Sequence, residues 1–307
     1  LAKISVLKMI KQPPYLKKGD KIGLVCPAKK LPKSIDTAIA VLESWGLEVV
    51  IGKSVYASHH QFAGTDELRT RDIQQFLDDT SIRAIISGRG GYGSIRIIDE
   101  LDFTVFKQHP KWFVGFSDIT VILSHIIAQT QTQCLHAQMP YTFEESTPSA
   151  IESLRASLFG EPQEYSYTST FKSRAGVAEG ILIGGNLTLL VTMQGSVSEM
   201  DFDNKILFLE DVGEQEYAID RMMRMLKRAG KLAKLKGLII GAFNEIAEEK
   251  ISFGQTAEEV IWDVVNEYDY PVCFNFPTGH IENNLSMALG ANVALTVENK
   301  NVHFKYL

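Results

Sequence analysis

Short apolar runs alternate with stretches of helical spacing through the first 140 residues, and this alternation constrains the fold more than any other feature. KIGLVCPA (21–28), LEVVIGK (47–53), RAIISG (83–88) and KWFVGF (111–116) read as strands. SIDTAIAVLESWG and GTDELRTRDIQQFLDD read as helices; the first stops at Gly46, and the second has Thr65 as a cap and acids in its first turn. SDITVILSHIIAQ follows the fourth run, with Ile119, Ile122, Leu123, Ile126 and Ile127 near one face. Strands alternating with helices predict a parallel sheet covered on both sides.

The pattern weakens after about residue 140. The stretch 160–176, GEPQEYSYTSTFKSRAG, is polar with little periodicity, so the boundary falls there, dividing the chain into 1–165 and 166–307. A length of 307 residues accommodates two domains. In the second half, AEGILIGGNLTLLVTMQG reads as strand, Gly-Gly turn and helix. KILFLEDVG and LKGLIIGAFN read as strands, AIDRMMRMLKRAG and TAEEVIWDVVNEY as helices. ANVALTVENKNVHFKYL alternates around an Asn-Lys-Asn turn and predicts a terminal hairpin.

Charge and composition exclude several function classes. The net charge is -6, with no block of five like charges, which disfavours nucleic-acid or anionic-membrane partners. No apolar run is long enough to span a bilayer. The opening LAKISVLKMIKQPPYLKKGD lacks the apolar core of a signal peptide; Met9 would make a natural start, leaving residues 1–8 as an upstream extension. Cys26, Cys134 and Cys273 are far apart in apolar stretches, as expected of buried free thiols in a reducing compartment. Neither CxxC nor a Cys/His spacing points to zinc, and no metal or cofactor is expected.

SGRGGYGS (87–94) follows the third strand. Gly88, Gly90 and Gly93 satisfy G-x-G-x-x-G, which raises a dinucleotide reading. That fingerprint belongs to the first strand–helix turn, here CPAKKLPKS, and the acid expected some twenty residues on is missing. A tight turn and an anion or oxyanion cradle stand beside it, because the loop lies at the carboxyl end of a parallel strand, where open sheets place ligands.

Ser117, in VGFSDIT, lies where a strand meets a helix. There it serves either as an N-cap or as a nucleophile on a sharp turn. Gly115 and Ser117 give half of G-x-S-x-G, but residue 119 is Ile, so the α/β-hydrolase elbow does not match. The amide of Asp118, at a helix start, and one from the glycine loop would make a pair of oxyanion donors. A nucleophilic serine also needs a base and an orienting acid. Among seven histidines, His136 in CLHAQMP and His280 in FNFPTGHIENN follow strands and are the best placed. For the acid, Glu210 directly follows ILFL, ahead of Asp211, Glu214 and Glu216.

Taken in order, PYLKKGDKIGLVCPA, GRGGYGS, GFSDIT, GGNLTLL, LFLEDVGEQEYAIDRMM and FPTGH resemble the L,D-carboxypeptidase family of serine peptidases, over about residues 13–290. This family includes muropeptide-recycling enzymes and microcin-immunity peptidases. The resemblance implies an α/β fold: an N-terminal flavodoxin/Rossmann-like parallel-sheet domain and a smaller C-terminal α/β domain with a mixed sheet. It implies a Ser–His–Glu triad of Ser117, His280 and Glu210 spanning both domains, with an oxyanion hole from Asp118 and Gly90 or Gly91. It also implies a cytoplasmic homodimer acting on a small peptide, the recycled murein tetrapeptide, which loses its terminal D-alanine. Arg89 is the candidate for reading the substrate carboxylate, and Asn186 of GGNLTLL is a second substrate-binding candidate. The chain departs from the family pattern at Ala137 and at SMALG (286–290), which bears on substrate preference. A microcin-type aminoacyl-nucleotide peptidase, a nucleotide-binding protein using loop 88–93, and a non-catalytic muropeptide- or sugar-binding regulator are the rival readings.

Overall fold

The computed structural model describes residues 10–247 and 251–307; Met9 and residues 1–8, the expected upstream extension, lie outside the described residues. The N-terminal sheet is built from β1 (Lys21–Val25), β2 (Glu48–Ile51), β3 (Ile82–Ser87), β4 (Trp112–Gly115) and β5 (Cys134–His136). All four pairings are parallel, in the order β2-β1-β3-β4-β5. This is the flavodoxin-like order of doubly wound sheets, which hold ligands beyond the carboxyl ends of their strands.

Helices α1 (Asp36–Ser44), α2 (Asp66–Asp78), α3 (Thr104–Gln108) and α4 (Thr120–His125) connect these strands. Thr65 caps α2 by accepting the Leu68 amide hydrogen. The pleat sorts the strand side chains into two cores. Ile22, Leu24, Ala84, Ile86 and Val114 face one way, towards Ala38 and Leu42 of α1. Ile85 and Phe113 face the other way, into a core that continues into the C-terminal half. Every residue of α4 is buried, not the single face that the isoleucine spacing predicts. The helix packs between the two sheets, which is where a helix apolar all round belongs. It is also short. A 3₁₀ turn (Ser117–Ile119) precedes it, and a wider π turn (Ile126–Thr130) follows before Gln131 reverses the chain at φ 53°.

After α5 (Pro148–Phe159), the second sheet collects β6 (Glu164–Thr168), β7 (Gly176–Asn186), β8 (Lys205–Val212), β9 (Gly237–Asn244) and β10 (Val272–Cys273). Strand β11 (Met287–Leu289) precedes the hairpin of β12 (Asn292–Glu298) and β13 (Asn301–Tyr306). The order β10-β9-β8-β7-β12-β13-β6 is parallel from β10 to β7 and antiparallel beyond it, a mixed sheet. Helices α6 (Leu187–Thr192), α7 (Glu216–Arg228) and α8 (Ala257–Val265) complete this half.

Two local expectations change, and two further features carry no local sequence signal. The polar stretch 160–176 contains strand β6, which lies at the sheet edge and buries Tyr165. Gly184 and Gly185 lie inside β7 and are not a turn. A Cβ at Gly184 would stand 1.9 Å from the Phe208 carbonyl oxygen, so the glycine serves close backbone approach. The glycine loop leads into two 3₁₀ turns (Ser94–Arg96 and Ile98–Glu100). Finally, β11 crosses back to pair antiparallel with β5, so the C-terminal half supplies the edge of the N-terminal sheet. All three cysteines are buried and free. Among the described residues, no helix is long and apolar enough to cross a membrane.

Candidate active site

Ser117 has φ 64°, a left-handed conformation that costs a non-glycine residue about 1–2 kcal/mol. It is the only residue from Lys111 to Ile127 that is not buried. No side chain caps the start of its 3₁₀ turn or of α4, so the capping role is not realised. The strained turn instead lifts one hydroxyl out of an otherwise buried strand–helix junction. Strain of this kind concentrates at functional sites.

The glycine loop lies against this turn. A Cβ at Gly90 would meet Ser117 Cβ at 3.0 Å and Oγ at 3.2 Å, so only glycine fits without displacing the serine. Gly91 (φ 114°) faces the methylenes of Lys29. Buried Asp118 ties the two segments together by accepting the Ser94 amide hydrogen at 2.8 Å. Burial raises the pKa of this carboxyl against the opposing bonds from Ser94 and Gly93. Its own amide, in the first turn, has no helical partner. Fully buried Arg69 holds the loop from behind, donating to the carbonyls of Pro27 and Gly93.

Glu210 lies in the buried run of β8, next to buried Asp211 and opposite Asn186 in β7. Its Oε2 accepts a hydrogen bond from His280 Nδ1 at 2.7 Å. The His280 loop reaches the carboxylate because Gly279 (φ 125°) lies on it; a Cβ there would stand 3.1 Å from Glu210 Cβ. Gly241 likewise admits the Thr278 carbonyl. Sequence reasoning missed two supports. Asn244 donates to the His280 carbonyl at 2.6 Å, and Asn284 accepts the Gly279 amide hydrogen at 2.9 Å. The only sequence signal for them is polar residues at the end of a buried strand and just after the histidine.

Burial alone would lower the pKa of His280; the charge and hydrogen bond of Glu210 outweigh it and hold the imidazole above its ordinary value. Burial would raise that of Glu210; the charge and hydrogen bond of His280 hold it below the ordinary carboxylate range. The two halves meet at Phe116, the residue before Ser117, whose ring lies edge-on to His280 with centroids 4.9 Å apart. Phe116, His280, Gln138, Asn244 and Asn283 are among the residues lining a cleft of about 670 Å³.

The other expected residues lie as follows. Arg89 donates to the Lys30 carbonyl at 2.9 Å and stacks over Tyr141 at 4.6 Å. Asn186 caps α6 by accepting the Leu189 amide hydrogen and donates to Asp211 Oδ1 at 2.7 Å, so both side-chain polar atoms are engaged within the protein. His136 is fully buried behind Phe116. Ala137 is also buried. Among the described residues, no group of three His, Cys, Asp or Glu side chains could hold a metal ion.

Residues 22–137 match the model of the LD-carboxypeptidase N-terminal domain and residues 179–295 that of the LD-carboxypeptidase C-terminal domain. A probable murein peptide carboxypeptidase of Bacillus subtilis is 34% identical over 94% of this chain and 92% of its own length. The murein tetrapeptide carboxypeptidase of Pseudomonas aeruginosa is 26% identical over 90% and 92%. The crystal structure of muramoyltetrapeptide carboxypeptidase from Oxalobacter formigenes superposes with a TM-score of 0.84 at 27% identity, covering 93% of this chain and 98% of that one. MccF in complex with glutamyl sulfamoyl guanosine, at 23% identity and a TM-score of 0.85 over 95% and 98%, shares the fold.

Proposed function

The chain belongs to the LD-carboxypeptidase family, and from that premise we propose that it releases the terminal D-alanine of murein tetrapeptides through Ser117, His280 and Glu210. The observation that carries this reading is the strained, partly exposed Ser117, adjoining a phenylalanine whose ring packs on a histidine bonded to a buried glutamate. The names of the relatives supply the substrate class.

In this mechanism His280 Nε2 takes the proton from Ser117 Oγ, and the alkoxide attacks the carbonyl of the L,D amide. The amides of Asp118 and of Gly90 or Gly91 hold the oxyanion; losing one such donor costs roughly 3–4 kcal/mol of transition-state stabilisation. His280 then gives its proton to the leaving amine. Water, deprotonated by the same imidazole, attacks the acyl-enzyme and frees the tripeptide. Glu210 fixes the tautomer that carries hydrogen on Nδ1 and stabilises the imidazolium.

The test is mass spectrometry of a disaccharide-free tetrapeptide incubated with the protein. Wild type is expected to remove one D-alanine and Ser117→Ala to leave the peptide intact. No release by wild type, or equal release by the variant, overturns the reading. Running an aminoacyl nucleotide beside the tetrapeptide separates the microcin-type alternative, which uses the same side chains.

A further inference from the structure

At the Glu210–His280 pair lie buried polar atoms that the mechanism above does not use, the ring nitrogens of His136 and Oε1 of Glu210. His136, 0% exposed, has no hydrogen-bond partner on either ring nitrogen. Glu210, also 0% exposed, has no partner on Oε1, the oxygen turned away from His280. Buried polar atoms are nearly always satisfied, so two at one place demand an account.

The surrounding rings place them together. His136 stands edge-on to Phe208 with centroids 5.0 Å apart, and against Phe116 at 5.7 Å. Phe208 and Glu210 lie two residues apart on one face of β8, since a Cβ at Gly241 would touch both. Phe116 also packs on His280. His136 therefore sits beneath the pair, walled by two phenylalanines, with Glu210 as a polar neighbour. Its position is fixed by pairing to Gly115 on one side and Met287 on the other.

We propose that His136 is a positioning residue that gives an N–H towards Glu210 Oε1 through one buried water, and so holds that carboxylate ionised and aimed at His280. The inference rests on the Ser117–His280–Glu210 reading. Burial lowers the pKa of His136 to about 4, so at neutral pH it offers one N–H and no charge. A neutral donor satisfies Glu210 without competing, as a second cation would, for the negative charge that stabilises the His280 imidazolium. The titratable groups around the pair are His136, Asp211 and Glu245, of which His136 alone brings a donor; the Asn186 amide also bears on Glu210, but its hydrogen bond goes to Asp211 Oδ1.

The sign of the effect follows from charge. Deprotonating the pair leaves it with one net negative charge, and a donor to Glu210 stabilises that state most. Removing the donor makes the pair hold its proton more tightly. The acid limb of kcat/KM then moves to higher pH, by about one unit for one hydrogen bond to a charged group.

The experiment measures kcat/KM for D-alanine release from about pH 5 to 9, with melting temperatures, for wild type, His136→Leu, His136→Phe and His136→Gln. His136→Leu is expected to shift the acid limb up and to lose roughly tenfold in kcat/KM near neutral pH. His136→Gln, which keeps an N–H, is expected to restore most of both. Should His136→Leu not fold, His136→Phe carries the test, because it retains an aromatic ring between Phe116 and Phe208. A folded Leu or Phe variant with the acid limb of wild type overturns the proposal, and so does a shift that Gln fails to correct. Ser117→Ala in the same series keeps the two readings apart. If it still releases D-alanine, the triad fails; if it is inactive while the His136 variants match wild type, only the positioning role fails.

Discussion

Replacing Ser117 by glycine is predicted to make the protein more heat-stable than replacing it by alanine, although both abolish activity. The left-handed conformation at φ 64° costs an L-residue about 1–2 kcal/mol and glycine almost nothing. Glycine also loses more freedom on folding, which returns about 0.5–1 kcal/mol. The remainder, about 0.5–1 kcal/mol, favours Ser117→Gly. For a chain of 307 residues the entropy of unfolding is about 0.6 kcal/mol per kelvin, so the difference is about 1–2 °C in melting temperature. Alanine is the reference because it removes the hydroxyl while keeping the Cβ that carries the strain. Differential scanning fluorimetry of the two variants, in replicate and at one protein concentration, resolves such a gap. A glycine variant that melts at or below the alanine variant refutes the argument that the fold holds Ser117 under strain.

The remaining predictions concern the groups around that serine. Glu210→Gln removes the charge that raises His280, so burial then governs; the acid limb of kcat/KM is expected to move to lower pH than in wild type in a pH–rate series. kcat is expected to fall about 10³–10⁴-fold, because the imidazole tautomer is no longer enforced. Gly90→Ala places a methyl 3.0 Å from Ser117 Cβ and must displace it by a few tenths of an ångström; steady-state assays are expected to show roughly a tenfold loss in kcat, with a near-normal melting temperature. Asp118→Ala leaves the buried Ser94 amide without its acceptor; the expected cost is about 1–3 kcal/mol in chemical denaturation, with loss of activity as the loop parts from the turn.

The parallel half of the fold was legible because its buried apolar strands alternate with helical spacing, with a glycine stop after α1 and a threonine cap on α2. Thr65 caps α2 as its spacing implies, and Gly46, at φ 86°, follows the end of α1. Ser117 was ambiguous for a physical reason. A cap and a nucleophile occupy the same strand–helix junction, and only the backbone angle separates them; a left-handed serine carries no glycine to announce it. The Gly184–Gly185 pair misled in the opposite sense, since tertiary approach, of Gly184 to β8 and of Gly185 to Thr120 of α4, and not a turn, requires those glycines. Strand β11 is three residues long and pairs with β5, some 150 residues earlier, so no local pattern marks it. Glu210 was readable as an acid at the end of an apolar strand, and His280 as a histidine in a glycine turn. Their 2.7 Å contact was not, because it depends on Gly279 and Gly241 letting the loop lie on β8. Asn186 shows the limit of residue type as evidence, since it engages both side-chain polar atoms within the protein, whereas Arg89 uses only Nη1, on the Lys30 carbonyl.

The central claim is that Ser117 is the nucleophile, and covalent labelling tests it most directly. The full chain is treated with a sulfonyl fluoride, or with a phosphonate analogue of the tetrapeptide, and then digested and mapped by mass spectrometry. The account predicts one adduct, on the peptide carrying Ser117, with loss of D-alanine release in proportion to labelling and no adduct on Ser117→Ala. An active enzyme that stays unlabelled, or an inactivating adduct on another residue, would contradict it.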